Sequence, residues 1–154
     1  MASPAERHDA ARLRTAPFVL PSALRQAMVA HARAAAPIEC CGLLVGVGRR
    51  VMSLVPMRNV VESPTRFRID DRAHIALQRA LRATPALSIV GVYHSHPTGP
   101  SRPSPTDIAE AHYRGWLHVI VSLAGRPRVR GFVIEDGRAW PARLCTSDRA
   151  AGDG

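Results

Sequence analysis

The fold is decided by residues 87–107, which read LSIVGVYHSHPTGPSRPSPTD. The first seven residues are strongly apolar and predict a buried β-strand that runs directly into His94. Four prolines and one glycine follow between Pro97 and Pro105, so the next segment is expected to be a stiff loop. A helix is predicted to begin near Ser104. The stretch therefore places a strand, a rigid loop and a helix start in immediate succession.

The segments on either side of this stretch alternate between strand and helix patterns. Before it, the sequence predicts a strand at 18–20, a helix over 23–36, a hairpin of strands over 41–47 and 51–57, and a helix from the cap Asp70 to about 83. After it, the sequence predicts a helix over 104–115 and strands over 117–123, 129–135 and 138–144. This order predicts one α/β domain, mixed α+β in character, in which a mixed β-sheet is flanked by helices.

The two ends of the chain are expected to be flexible tails. Residues 1–16 are polar and rich in alanine and arginine, and residues 146–154 follow the last predicted strand. The folded domain is therefore predicted to span 17–145. A chain of 154 residues buries about two-thirds of its unfolded surface and folds without disulfides.

Composition is typical of a globular protein in a reducing compartment. The apolar share is 46%, and no run approaches the roughly 18 apolar residues of a membrane span. The first fifteen residues are charged, which is not typical of a secretory signal. Cys40 and Cys41 are adjacent and Cys145 is left over, so all three are predicted to be reduced thiols. A cytoplasmic location with no membrane partner is expected.

The chain is strongly basic. Its formal charge is +9, and all 21 basic residues are arginines. Such a surface favours acidic partners, either a protein or nucleic acid. Arg126, Arg128 and Arg130 are predicted to share one face of a strand, and a solvated face is the preferred interpretation. Nucleic acid is not the expected partner, but it stays open as a third hypothesis.

A metal site is predicted at the end of the central strand. His94 and His96 are two residues apart and project from the same face, so both imidazoles can reach one ion at about 2.0–2.1 Å. The stiff loop returns Asp107 as a third ligand. Two histidines and one carboxylate leave a fourth position for water, as in a catalytic zinc site. Residues 104–107 also fit a helix-capping box, and the two roles are compatible.

These residues resemble the signature of the JAMM, or MPN-plus, zinc metalloproteases, in their stand-alone prokaryotic form. That signature has an upstream glutamate, then H-S/T-H-P, a short variable segment and S-x-x-D. The matches here are HSHP at 94–97, SPTD at 104–107 and Glu39 within PIECCGLLVG at 37–46. The resemblance covers about 18–144. Motifs of two other zinc families, H-E-x-x-H and P-C-x-x-C, do not occur in this sequence.

The resemblance implies a role for each matched residue. His94, His96 and Asp107 would bind one catalytic Zn²⁺ with a bound water. Glu39 would take a proton from that water as base and pass it to the leaving amine. Ser104 would donate a hydrogen bond to the tetrahedral intermediate.

The implied activity is hydrolysis of a peptide or isopeptide bond. The expected substrate is the C-terminal Gly-Gly tail of a ubiquitin-like or sulfur-carrier protein. The alternative is a non-catalytic metal-binding interaction module of the same fold. The sequence predicts no oligomeric state.

Overall fold

The computed structural model describes residues 1–147, apart from the side chains at positions 10, 13 and 14. Within this range the helices are α1 (Pro4–Thr15), α2 (Ser22–Ala35), α3 (Asp71–Leu81) and α4 (Pro105–Ala109). The strands are β1 (Phe18–Val19), β2 (Cys41–Val47), β3 (Arg50–Met57), β4 (Ser88–His96), β5 (Leu117–Ser122), β6 (Arg128–Glu135), β7 (Arg138–Ala142) and β8 (Leu144–Cys145). No helix among these residues is long and apolar enough to cross a membrane.

The strands form one mixed sheet in the order β7-β6-β5-β4-β2-β3-β1-β8. β4 runs parallel to β5, and β1 runs parallel to both β3 and β8. The remaining pairs are antiparallel. The predicted fold class, a mixed sheet flanked by helices, is confirmed. The longest strand, β4, lies near the centre of the sheet and carries the predicted metal ligands at its end.

The core fills the sheet face that is covered by α2. Met28 and Ala32 of this helix pack in one cluster with Tyr93 of β4 and with alternate residues of β5. Tyr93 is fully buried, and its hydroxyl lies 2.8 Å from Nδ1 of His31. Gly42 stands opposite Tyr93 on β2, where a Cβ would overlap the tyrosine ring. The opposite sheet face, next to α3, therefore carries His94 and His96.

The predicted helix over 104–115 is wrong in its length. α4 ends at Ala109, and an irregular segment connects it to β5. In this segment Tyr113 stacks on Trp116 with ring centroids 3.9 Å apart, and both rings lie beside His74 of α3. The chain is therefore no longer helical where these aromatic rings pack against α3.

The predicted N-terminal tail, 1–16, contains a helix that the sequence interpretation missed. Ser3 and Glu6 form a capping box, and Pro4 occupies the first turn of α1, a position where proline is favoured. Most of the predicted C-terminal tail, 148–154, lies outside the described residues. The proposed domain limits of 17–145 stay a prediction, although the sheet itself begins at Phe18 and ends at Cys145.

Candidate metal centre and active site

His94 and His96 meet at the end of β4. Both are almost completely buried, with 2% and 8% of their surface exposed. Their Nε2 atoms lie 3.0 Å apart. Ser95, between them, points to the other face, where its hydroxyl accepts a hydrogen bond from the backbone N–H of Cys40 (2.8 Å). This bond ties the end of β4 to the segment that enters β2.

Asp107 joins the two histidines from the first turn of α4. Its Oδ2 lies 3.2 Å from Nε2 of His94 and 3.1 Å from Nε2 of His96. The same oxygen accepts a hydrogen bond from the backbone N–H of Ser104 (2.8 Å), while the Ser104 hydroxyl accepts one from the N–H of Asp107 (3.0 Å). The predicted capping box is therefore present and fixes the backbone that presents Asp107.

The spacing of these three atoms fits a tetrahedral metal ion. Bonds of 2.0–2.1 Å at tetrahedral angles place ligand atoms about 3.3–3.4 Å apart, close to the observed 3.0–3.2 Å. Nδ1 of His96 lies 2.7 Å from the carbonyl oxygen of Pro100, so it carries the proton in the neutral ring. In that neutral ring Nε2 of His96 directs a lone pair at the Asp107 carboxylate, which a shared cation would stabilise, whereas in the protonated ring it donates a hydrogen bond to this carboxylate.

Glu39 lies beside the two histidines, directly before β2. Only 3% of its surface is exposed, and its carboxylate and the two imidazoles offer ligand atoms within 4.8 Å of one another. Oε1 of Glu39 is buried and has no hydrogen-bond partner among the described residues. Burial raises the pKa of Glu39 to about 7, while His96 lowers this pKa and Asp107 raises it. A carboxyl group with a pKa near neutrality is suited to general base catalysis.

Burial and hydrogen bonding set the charge of the remaining groups. Burial lowers the pKa of His94, which favours the neutral ring that a metal needs. Burial acts to raise the pKa of Asp107, but hydrogen bonds from His94 and His96 outweigh it and hold this pKa far below its usual range. Burial acts to lower the pKa of His96, but hydrogen bonds with Asp107 and Pro100 outweigh it, so this pKa is raised. The centre therefore contains a permanent carboxylate facing two ring nitrogens.

Two clefts share this centre. A cleft of about 330 Å³ is lined by Glu39, His96, Ser104 and the stiff loop. A second cleft, of about 500 Å³, is lined by His94, Asp107 and aromatic side chains that include Phe67 and Trp116. Phe67 stacks on His94 with ring centroids 4.3 Å apart. The centre is thus buried in protein but reached from open clefts.

The structure brings all five predicted site residues together, although they come from two segments more than fifty residues apart. A family model described as prokaryotic homologs of the JAB domain matches residues 21–139. The chain belongs to this family.

Two relatives of this JAB-family chain are named as peptidases. The "probable TtuB-protein conjugate cleaving protease" of Thermus thermophilus is 38% identical over 121 residues, which is 77% of each chain. The CysO-cysteine peptidase of Mycobacterium tuberculosis is 36% identical over 124 residues, which is 78% of this chain and 84% of the relative. The predicted family and the predicted enzyme class are confirmed.

Solved structures share the JAB-family fold. The solution structure of DSY2949 from Desulfitobacterium hafniense has a TM-score of 0.76 at 31% identity and covers 83% of this chain and 91% of its own. A JAB1/MPN domain protein from Archaeoglobus fulgidus has a TM-score of 0.58 at 18% identity, covering 84% and 98%. The second comparison bears on the fold alone.

Asn59 supports the site of this JAB-family protein, but the sequence interpretation assigned no role to it. Its side chain is buried and hydrogen-bonds the backbone of Glu39 on one side and of Arg66 and Arg68 on the other. Asparagine in a predicted loop is common, so no local pattern distinguishes this residue. Its contacts appear only when the chain segments before β2 and after β3 come together.

Proposed function

We propose that this JAB-family chain is a zinc peptidase that hydrolyses the amide bond following the C-terminal Gly-Gly of a ubiquitin-like or sulfur-carrier protein. The observation that carries the proposal is the convergence of three ligand atoms within 3.2 Å beside the buried, unpartnered carboxylate oxygen of Glu39. A purely structural cluster has no need for an unpaired buried carboxylate, which costs free energy.

His94, His96 and Asp107 would hold the Zn²⁺. Their two nitrogens and one oxygen are a donor set that zinc accepts, and three protein ligands are typical of catalytic rather than structural sites. When bound, the ion lowers the pKa of its water to about 7 and polarises the scissile carbonyl. The hydrogen bond between Nδ1 of His96 and the Pro100 carbonyl orients the imidazole for this role.

Glu39 acts as the general base and then as the general acid. Its carboxylate and the two imidazoles offer ligand atoms within 4.8 Å of one another, a separation that one bridging water can span. The carboxylate accepts a proton from this water and donates it to the departing amine nitrogen. In the metal-free protein burial raises the pKa of Glu39 to about 7, and a bound cation lowers this pKa again, which favours the ionised form that accepts the proton.

Ser104 stabilises the oxyanion. Its Oγ accepts the hydrogen bond from the Asp107 N–H, so its own hydroxyl proton remains available to donate. Ser104 also lines the cleft that contains Glu39 and His96. A donor held in place by a helix cap is preorganised, which is what oxyanion stabilisation requires.

The substrate class is supported by the names of the relatives and by the shape of the centre. One relative is named for TtuB-protein conjugates and another for CysO-cysteine. The ligating histidines are at least 92% buried, so a reacting segment must approach closely between the walls of the clefts. Glycine residues, which have no side chain, permit such an approach.

The alternative is a non-catalytic metal-binding module of the same fold. Nothing in the described ligand set favours it, because Glu39 and Ser104 accompany the three ligands. A cytoplasmic location also stays a prediction. It is consistent with the free thiols of Cys40, Cys41 and Cys145.

The test measures metal content and peptidase activity on the same preparation. The substrate is a ubiquitin-like carrier joined through its C-terminal Gly-Gly to a reporter peptide. We expect one zinc per chain and release of the reporter directly after Gly-Gly. Glu39→Gln is expected to keep the zinc and lose turnover. Full zinc occupancy with no cleavage of any amide would favour the module instead, and wild-type rates in Glu39→Gln would remove Glu39 from the mechanism.

A further inference from the structure

Two arginines of β6 lie on the same sheet face as the ligating histidines. The register of β4, β5 and β6 aligns His96 with Ser122 and Ser122 with Arg128. In the same way, His94 aligns with Ile120 and Ile120 with Arg130. Since neighbouring strands are about 4.8 Å apart, each arginine lies roughly 10 Å from the backbone of the corresponding histidine.

The group of arginines is smaller than the sequence predicted. Arg126 lies in the turn before β6, so it does not share the strand face with the other two. Arg128 and Arg130 are exposed and stand two residues apart on one strand, which separates their Cα atoms by about 6.8 Å. These two residues are called the arginine surface below.

The arginine surface carries uncompensated charge. Four exposed arginines elsewhere on the chain pair with carboxylates, namely Arg58 with Glu62, Arg66 with Glu110, Arg68 with Asp71 and Arg114 with Asp136, so what distinguishes the arginine surface is its place beside the metal centre. Neither Arg128 nor Arg130 has an acidic partner in the part of the chain that the structure describes. The local positive potential is therefore available to a binding partner.

We propose that the arginine surface docks an acidic face of the carrier protein whose C-terminal tail enters the metal centre. This inference rests on the proposed function. An extended tail advances at most about 3.3–3.6 Å per residue, so at least three residues separate the centre from the arginine surface. The folded body of a carrier with a short tail is thereby placed next to β6.

A protein partner fits this position better than a nucleic acid. The loop that lines the cleft around Glu39 is held against Ser122, which lies between His96 and Arg128 in the sheet. The Ser122 hydroxyl donates a hydrogen bond to the Gly99 carbonyl of this loop (2.6 Å). A nucleic acid lying along the arginine surface would extend over this loop and obstruct the substrate. An acidic carrier satisfies the arginines and delivers its tail to the cleft at the same time.

The test compares two charge-reversal variants with the same net charge. Arg128→Glu/Arg130→Glu alters the arginine surface, and Arg12→Glu/Arg33→Glu alters exposed arginines of α1 and α2. Each is assayed on an acidic ubiquitin-like carrier joined through Gly-Gly to a reporter, and on a short Gly-Gly reporter peptide without the carrier. Because charge complementarity acts mainly on the association rate, kcat/KM for the carrier is expected to fall roughly 10- to 100-fold at low salt in the first variant. The second variant and all rates on the short peptide are expected to stay at the wild-type level.

A charge-swapped carrier supplies the rescue. A carrier with acidic residues of its docking face changed to lysine is expected to be cleaved faster by Arg128→Glu/Arg130→Glu than by the wild type. Equal rates of the two variants on the acidic carrier, or an equal loss on the short peptide, would overturn the proposal. Loss of binding to a single-stranded oligonucleotide in the first variant, with unchanged carrier cleavage, would assign the surface to nucleic acid.

Binding of the carrier separates this proposal from the proposed function. The affinity of zinc-loaded Glu39→Gln for the acidic carrier, measured by fluorescence anisotropy, does not depend on turnover. If the wild type cleaves no Gly-Gly substrate but Arg128→Glu/Arg130→Glu weakens carrier binding, the docking surface stands and the peptidase assignment fails. If reversing these arginines in the Glu39→Gln background leaves binding unchanged, the docking surface is wrong whatever the activity.

Discussion

The side-chain amide of Asn59 donates a hydrogen bond to the backbone carbonyl of Glu39 at 3.0 Å. The same amide group donates to the carbonyl of Arg66 (2.9 Å), and its oxygen accepts from the N–H of Arg68 (3.1 Å). The residue between these two arginines, Phe67, stacks on His94. One buried side chain therefore positions the proposed base and the aromatic ring that covers a proposed metal ligand.

We expect Asn59→Ala to impair catalysis without removing the metal. The substitution leaves buried backbone groups without partners, at a cost of about 1–3 kcal/mol for each group that stays unsatisfied. Glu39 then loses its fixed position, and kcat is expected to fall about 10- to 100-fold, because small displacements of a catalytic group have effects of this size. Zinc content is expected to stay at one per chain, since none of the three proposed ligands contacts Asn59.

A destabilised control distinguishes this effect from a general loss of stability. Val133 is buried in β6 away from the metal centre, so Val133→Ala is expected to lower the free energy of unfolding but keep kcat. Urea unfolding and steady-state rates are measured on both variants. Wild-type kcat in Asn59→Ala would show that the hydrogen bonds to Glu39 do not position it.

His96→Ala is expected to abolish zinc binding. It removes one of the three proposed ligands and also the contact that links Asp107 to the loop at Pro100. Bound zinc stabilises the folded state by about 4 kcal/mol when its free concentration is a thousand times the dissociation constant. The variant is therefore expected to lose the rise in Tm that added zinc gives the wild type.

His112→Ala, which changes an exposed histidine of the neighbouring cleft, is the matched control, and zinc content is measured by elemental analysis. Unchanged zinc in His96→Ala would contradict the ligand assignment.

The sequence predicts best what depends on neighbouring residues. β2 is predicted with its observed limits, and the alternation along β4 predicts that His94 and His96 share a face. The start of α4 is predicted by Ser104, Pro105 and Asp107, because a helix cap is a local pattern. The same kind of pattern at Ser3 and Glu6 begins α1. This pattern alone does not predict a helix, because the residues that follow it show no apolar face.

What depends on distant segments could not be predicted from the residues alone. Glu39 is brought to the histidines by the pairing of β2 with β4, and only its resemblance to a family motif identified it. Asn59 has no such motif. The position of Arg128 and Arg130 relative to the metal centre depends on the strand order, since β5 separates β6 from β4.

Ser104→Ala is expected to reduce both the stability of the protein and its catalysis, but by different amounts. Loss of the N-cap costs about 1 kcal/mol. Loss of a single preorganised oxyanion donor lowers kcat by about 10²–10³. Ser104→Thr keeps both the cap and the hydroxyl, so it is expected to recover most of the activity. Urea unfolding and kcat on a Gly-Gly reporter substrate are compared across the three proteins. A loss of kcat in Ser104→Ala no larger than in Ser104→Thr would leave Ser104 with the capping role alone.

The final prediction concerns the metal-free protein, in which Glu39 is a buried carboxyl group without a cation beside it. Burial raises its pKa from 4.5 to about 7, with an opposing effect of His96 and a reinforcing effect of Asp107. The folded state therefore holds this proton to a higher pH than the unfolded state does. The resulting stabilisation is fully present below about pH 4.5 and is lost as the pH rises through about 7.

Glu39→Gln has no proton to lose at this position, so its metal-free form is expected to become more stable than the metal-free wild type as the pH rises. The gain between about pH 5 and about pH 8 is on the order of 2–3 kcal/mol. Unfolding by urea in the presence of a chelator measures it, and comparing the two pH values cancels any pH-independent effect of the amide on packing. Glu62→Gln, at an exposed glutamate, is expected to show no such change. With zinc bound the difference is expected to shrink, because a cation next to Glu39 stabilises the ionised carboxylate. A gain that is the same at both pH values would mean that Glu39 titrates alike in the folded and unfolded states, and the burial of its carboxylate would then not prepare it to act as a base.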